Sequence, residues 1–131
     1  MDYTFFMLPL KVIENTERGS DEEGNFILYG GRKIYRLHLI GTIAAIEVNE
    51  ESGSGYFVLD DTFSTILVHF QTPLFNMFTD ISRGSSVEVL GTIDIFNDSL
   101  TLRLGNIKKV TLERYSYNKI QSIKNMMELS K

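Results

Sequence analysis

The chain has 131 residues, 43% of them hydrophobic and 23% charged, a balance that suits one globular domain with a real core and leaves little room for a second. It contains no cysteine, which excludes disulfides and thiolate metal sites and favours an intracellular compartment. No apolar run approaches the roughly 20 residues that a bilayer span needs, and a net charge of −4 is a poor footprint for a protein that must grip phosphates unaided.

The charge divides unevenly, with five Lys/Arg against ten Asp/Glu in residues 1–60 and eight against seven in residues 61–131. The opening "MDYTFFMLPL" is apolar, but it has no basic flank and carries Asp2, so it does not read as a signal peptide. Residues 1–25 are expected to be an arm that ends in the acidic "ENTERGSDEEGN" (14–25), a loop by its turn-forming composition. "FILY", a turn at Gly30 and Gly31, and "KIYRLHLIGTIAAIEV" then predict a short strand and one long one. In the long strand Leu37, Leu39 and Ile43 share one parity and Arg36, His38 and Thr42 the other. Gly41 falls in the apolar register, where a missing side chain lets a strand bend sharply.

After the solvated "NEESGSG", "YFVLDD" predicts a second barrel strand and "TILVHF" a third. Pro73 interrupts "TPLFNMFTDISRG", in which Leu74, Phe75 and Phe78 fit a helical face. "SVEVLGTIDIF" is the fourth strand, with Val87, Val89, Ile93 and Ile95 inward and Gly91 again in the apolar register. The turn "ND" leads to "SLTLRLGNI", with Leu100, Leu102 and Leu104 inward. In "NKIQSIKNMMELSK" the period changes: at about 100° per residue Ile120, Ile123, Met126 and Met127 form one stripe, and Ser116 is the expected N-cap. The pattern predicts a mainly β protein: a five-stranded barrel over residues 26–112, a short helix between its third and fourth strands, and a C-terminal amphipathic helix over 113–131. The oligonucleotide/oligosaccharide-binding (OB) fold has this layout, with an open α+β sheet as its main rival.

Few residues point to catalysis. Asp60 and Asp61 lack a second ligand cluster and are expected to close a turn through bonds to backbone amides. His38 and His69 lie mid-strand without triad spacing, and "GSG" at 53–55 lacks the Lys and helix of a phosphate loop. Neither an enzyme nor a cofactor, metal or small-molecule substrate is expected. Exposed rings matter more, because OB domains stack unpaired bases on them. Phe96 shares the polar register with Glu88, Thr92 and Asp94, so it is either a base-stacking ring or a plug over the barrel end. Phe70 shares parity with the core residues Ile66 and Val68, which makes Gln71 the outward residue. Arg103, outward and across the hairpin from Phe96, is a phosphate candidate beside an ordinary solvated role. His38, at polar parity, joins the nucleic-acid candidates.

"PLKVIE", "NFILYGGRKIYRLHLIGTI", "YFVLDDTFSTILVHF", "SVEVLGTIDIFNDSL" and "IKNMMELSK", spread from Leu8 to Lys131, give the chain a resemblance to the OB domain of the middle subunit of replication protein A. The resemblance implies a single-stranded-DNA-binding subunit of a heterotrimer, weak alone, acting in replication, repair and recombination. It also implies stacking aromatics at the ends of the third and fourth strands, which fall on Phe70 or Gln71 and on Phe96. The terminal helix, with Ser116, Tyr117, Ile120, Ile123, Met126 and Met127, would join a three-helix bundle with two other OB-fold subunits; its alternative is to fold back over the barrel. The location implied is the nucleus in a eukaryote, or the cytoplasm and nucleoid in an archaeon. Small OB subunits of telomere-capping complexes are built alike, and the acidic Glu47, Glu50 and Glu51 with Asn97-Asp98 suit such a structural subunit that touches little nucleic acid itself. A more distant reading is an RNA- or sugar-binding module.

Overall fold

The computed structural model describes residues 5–49, 51–71, 81–111, 120, 121 and 123–125. Its elements are β1 (Phe6–Met7), α1 (Leu10–Ile13), β2 (Glu17–Asp21), β3 (Gly24–Tyr29), β4 (Arg32–Ile34), β5 (Arg36–Asn49), β6 (Ser54–Asp60), β7 (Thr65–Phe70), β8 (Ser86–Phe96) and β9 (Ser99–Lys109). The five strands read from the alternating pattern close into a barrel in the order β5-β6-β7-β9-β8, with β8 returning to β5. All its pairs are antiparallel except β7 with β9. This is the closed five-stranded arrangement of an OB fold.

Closure depends on β5 serving two neighbours. Its first half, Arg36 to Thr42, pairs with β8, and its second half, Thr42 to Asn49, pairs with β6. Gly41 sits at this handover, and a Cβ there would lie 2.6 Å from the Asp60 carbonyl oxygen. The two backbones approach so closely only because the position has no side chain. Beyond it the register shifts between Ile43 and Ala45, a bulge that adds local bend and twist. Strand β6 leaves the first half of β5 free on that side, and β1 fills the gap in parallel, with Phe6 opposite Leu37 and Met7 opposite His38.

Leu37, Leu39, Ile43, Phe57, Leu59, Val68, Val87, Val89, Ile93 and Leu102 fill the barrel, each 2% exposed or less. The shift between Leu90 and Gly91 skips Gly105 and moves the inward parity of β9 from Leu102 and Leu104 to Ile107. Helix α1 adds Leu10 and Ile13 to the core. It is held by Asp61, whose Oδ2 accepts from the Leu10 amide at 2.8 Å while Oδ1 accepts from the Phe63 and Ser64 amides. Asp60 Oδ1 accepts from the Thr62 amide at 2.8 Å, so both aspartates close the β6–β7 turn as the sequence suggested.

Residues 5–25 differ from the expected arm, since β1 pairs with β5 and α1 buries Leu10 and Ile13 in the core, apolar anchors that a free arm would leave wet. The acidic stretch expected to be a loop contains β2, which pairs residue for residue with β3, from Glu17 opposite Leu28 to Asp21 opposite Gly24. The sequence hides this strand because both of its faces are largely exposed and carry no apolar alternation. With β4 it forms a three-stranded sheet whose Ile27 and Ile34 reach the barrel core. Gly30 and Gly31 make the β3–β4 turn with φ of 59° and 76°, a conformation that favours glycine. Residues 120, 121 and 123–125 are helical. The helix expected around Leu74, Phe75 and Phe78, and Ser116, Tyr117, Met126 and Met127, lie outside the described residues.

Candidate nucleic-acid interface

Strands β6, β7, β9 and β8 lie side by side, and their outward residues form one continuous face. In register across it, Tyr56 on β6 stands opposite His69 on β7, His69 opposite Arg103 on β9, and Arg103 opposite Thr92 on β8. On the same face lies an open groove of about 630 Å³, lined by Leu67, His69, Asp94, Phe96, Asn97, Ser99, Leu100 and Thr101. Leu67 and Leu100 give it an apolar floor, and Phe96, 71% exposed, gives it an aromatic wall.

Phe96 owes its position to the hairpin. Asn97 and Asp98 both adopt positive φ, 50° and 64°, which matches a two-residue turn that preserves the twist of β8 and β9. Asn and Asp tolerate that region better than other side chains do. The turn is braced from outside, where Arg18 Nη1 donates to the Asp98 carbonyl at 2.6 Å.

Asp94 is the one acidic residue of the groove lining among the described residues, and its carboxylate is fixed. Oδ1 accepts from Asn25 Nδ2 and from the Ile95 amide, each at 3.1 Å, and Oδ2 lies 3.2 Å from His69 Nε2. At the far edge of the face the Tyr56 hydroxyl donates to Glu47 Oε2 at 2.7 Å, and this hydrogen bond pushes the phenol above its ordinary range. Arg103 is exposed on this face. Arg32 and Lys33 of β4 sit over the rings of Phe6 and Phe26, and Lys33 also pairs with Asp21 at 3.0 Å.

Phe96 and Arg103 share this face but stand apart on it, Phe96 opposite Ser99 and Arg103 opposite Thr92, four residues along β8. Arg103 is not among the residues that line the groove, and Gln71 lies exposed just past the end of β7. Phe70 does not belong to the face. It is 2% exposed and packs on Phe57 with ring centroids 6.4 Å apart, so the reading of Phe70 as a stacking ring is corrected: parity puts it in the core. His38 is also elsewhere. Its Nε2 meets Glu88 Oε1 on β8, and Glu88, although outward by parity, is buried there with Lys108 Nζ 3.4 Å from its other oxygen. His38 lines a second, smaller apolar groove with Met7, Leu8, Leu39, Phe63 and Ile123. Of the expected assembly stripe, Ile120 is 67% exposed and Ile123 50% exposed, the latter against this second groove. Leu67, His69 and Asp94 were missed as site residues. The alternation of "TILVHF" holds the signal, since it turns Leu67 and His69 outward together, but their meeting with Asp94 needs the β7–β9–β8 pairing.

Fold and groove together define an OB-fold protein with an aromatic-walled groove on its barrel face. No protein-family model matches the chain, and no curated protein does. Among solved structures it is similar to a chain of a replication protein A heterotrimer bound to single-stranded DNA, with a TM-score of 0.83 at 16% identity over 98% of this chain and 99% of that one. It is similar to a chain of the S. pombe Stn1–Ten1 complex, with a TM-score of 0.82 at 16% identity over 97% and 94%. A chain of yeast replication protein A bound to single-stranded DNA gives 0.70 at 14% identity over 92% and 88%. At these identities the likeness establishes the OB fold.

Proposed function

We propose that the chain is a single-stranded-DNA-binding subunit of a replication protein A-like heterotrimer, acting in replication, repair and recombination, and that it is not an enzyme. The observation that carries this reading is Phe96, 71% exposed on the wall of an open groove where a plug over the barrel end would be covered. Stacking on one ring contributes about 1–3 kcal/mol per base, and Arg103 with His69 offers little phosphate neutralisation. The isolated chain should therefore bind single strands with a Kd of about micromolar or weaker, duplex no better, and both less as salt rises. Affinity in the cell then comes from two further OB-fold subunits, joined through a three-helix bundle in which Ile120 and Ile123 contribute to the seam. Fluorescence anisotropy with labelled single strands tests this. Phe96→Ala should weaken binding roughly five- to 150-fold without unfolding the barrel. Unchanged affinity in that variant, or nanomolar binding by the isolated wild type at physiological salt, contradicts the reading.

A second reading is favoured by the acidic lining. Asp94 lines the groove, Asp98 lies in the β8–β9 turn beside it, Glu47 is near the end of β5 and Glu51 is in the β5–β6 loop. These suit a structural OB subunit of a telomere-capping assembly whose partners hold the nucleic acid. Mass spectrometry of proteins co-purified from native cells separates the two.

A further inference from the structure

Among the described residues, the only acidic side chain lining the Phe96 groove is Asp94, a poor choice for a surface that faces phosphates but a good one for a surface that faces bases. Resting on the reading of this groove as a seat for unpaired strands, we propose that it selects bases bearing an exocyclic amino group, cytosine over thymine, with Asp94 as the selecting residue. Asp94 and Phe96 are two residues apart on the outward side of β8, so their Cα atoms lie about 7 Å apart. A pyrimidine stacked on the Phe96 ring with its edge toward the barrel presents that edge to the Asp94 carboxylate.

The carboxylate is held for this task. Asn25 and the Ile95 amide fix Oδ1, and His69 lies against Oδ2. Two ionised oxygens offer about four lone-pair sites, so these three contacts leave accepting capacity on a side chain that is 40% exposed. An acceptor-only group takes a hydrogen bond from the N4 amino group of cytosine. Thymine offers a carbonyl oxygen at the same position, and a carboxylate repels it. The two bases share ring size and backbone, so stacking and phosphate contacts nearly cancel in the comparison. The phosphates then lie away from Asp94, on the side where Arg103 stands exposed beside His69 in the register of β9 and β7.

The test measures anisotropy of labelled oligo-dC and oligo-dT of equal length with the full chain, at low salt and slightly alkaline pH to keep oligo-dC unfolded. Wild type should bind oligo-dC about three- to tenfold more tightly than oligo-dT, the worth of one charge-assisted hydrogen bond partly offset by its hydration. Asp94→Asn, which keeps an acceptor for Asn25 but adds a donor, should bring the ratio to about one or below, by weakening oligo-dC binding and strengthening oligo-dT binding. An oligomer of the cytosine analogue lacking the 4-amino group, tested on wild type, should bind like oligo-dT, and it serves even if the variant folds poorly. Equal binding of both strands by wild type, tighter binding of oligo-dT, or a preference that survives in Asp94→Asn overturns the selection while leaving strand binding in place. Failure of every oligomer to bind overturns the underlying reading, and the selection with it.

Discussion

Replacing Asp61 with Asn changes one oxygen for an amino group and almost nothing in volume. Asp61 is 5% exposed and accepts from three backbone amides, Leu10 at 2.8 Å, Phe63 at 3.1 Å and Ser64 at 3.0 Å. Asn has one acceptor oxygen. If that oxygen keeps the two turn amides, its NH2 faces the Leu10 N–H, donor against donor, in a buried site. Losing a hydrogen bond to a charged group costs about 1.5–3 kcal/mol, and the two surviving bonds weaken because their acceptor is now neutral. The sum is roughly 2–4 kcal/mol. At about 3–5 °C per kcal/mol for a domain of this size, the melting temperature should fall by roughly 6–20 °C. Asp60→Asn is the control, since Asp60 makes one turn bond, to Thr62, at a half-buried site; it should cost under about 1 kcal/mol. Thermal unfolding followed by circular dichroism gives both numbers, and hydrogen exchange should report lost protection at α1 before the barrel strands. A melting temperature for Asp61→Asn within about 2 °C of wild type, or an equal loss in Asp60→Asn, would refute the view that one buried carboxylate ties the N-terminal segment to the barrel.

Phe70→Ala should destabilise by about 3–5 kcal/mol in urea unfolding, because the ring is 2% exposed against Phe57; a change as small as that of Phe96→Ala would place it outside the core after all. Gly41→Ala should cost about 1–3 kcal/mol, since its Cβ would come 2.6 Å from the Asp60 carbonyl oxygen, and a melt indistinguishable from wild type counts against the close β5–β6 handover. Ile123→Asp, at a side chain 50% exposed, should leave the barrel folded and monomeric while abolishing co-purification with partner subunits; if that variant unfolds and wild type stays monomeric beside its candidate partners, the helix belongs to the barrel. Asp21→Asn should lower the Tyr35 phenol from about 12, where its hydrogen bond to Asp21 holds it, toward the ordinary tyrosine range. In the wild type that bond stabilises the fold fully below the pKa of an unfolded tyrosine and is lost as pH rises through about 12, which an ultraviolet phenol titration follows.

The barrel was legible where one face of a strand is wet and the other dry. Leu37, Leu39 and Ile43, or Val87, Val89 and Ile93, mark their inward side by alternation alone, and Gly41 and Gly91 mark the bends because they interrupt that side. Strand β2 was not legible: a ribbon exposed on both faces has no hydrophobic period, and only its pairing with β3 makes it a strand. Glu88 shows the limit of parity. It points outward as read, yet it is buried, because neighbours from β5 and β9 close over it. The groove was half legible. Phe96 is local information, an aromatic at polar parity beside a turn, whereas the meeting of His69 with Asp94 is set by a parallel pairing between strands more than 30 residues apart.

The bond from the Leu10 amide to Asp61 spans 51 positions, and it imposes an order of events on the chain as it is made. At about 5–20 residues per second, the ribosome adds Leu10 some 3–10 s before it adds Asp61. Through that interval Leu8, Leu10 and Ile13, all buried in the finished protein, lack the carboxylate that anchors the Leu10 amide and the core residues of β7, β8 and β9. The β7–β9 pairing waits longer still, since Thr101 to Arg103 must follow Leu67 to His69 out of the ribosome. The apolar segment from Leu8 to Ile13 is thus among those that dock late, and its sticky side chains stand open to chaperones, or to neighbouring nascent chains, for seconds in every round of translation.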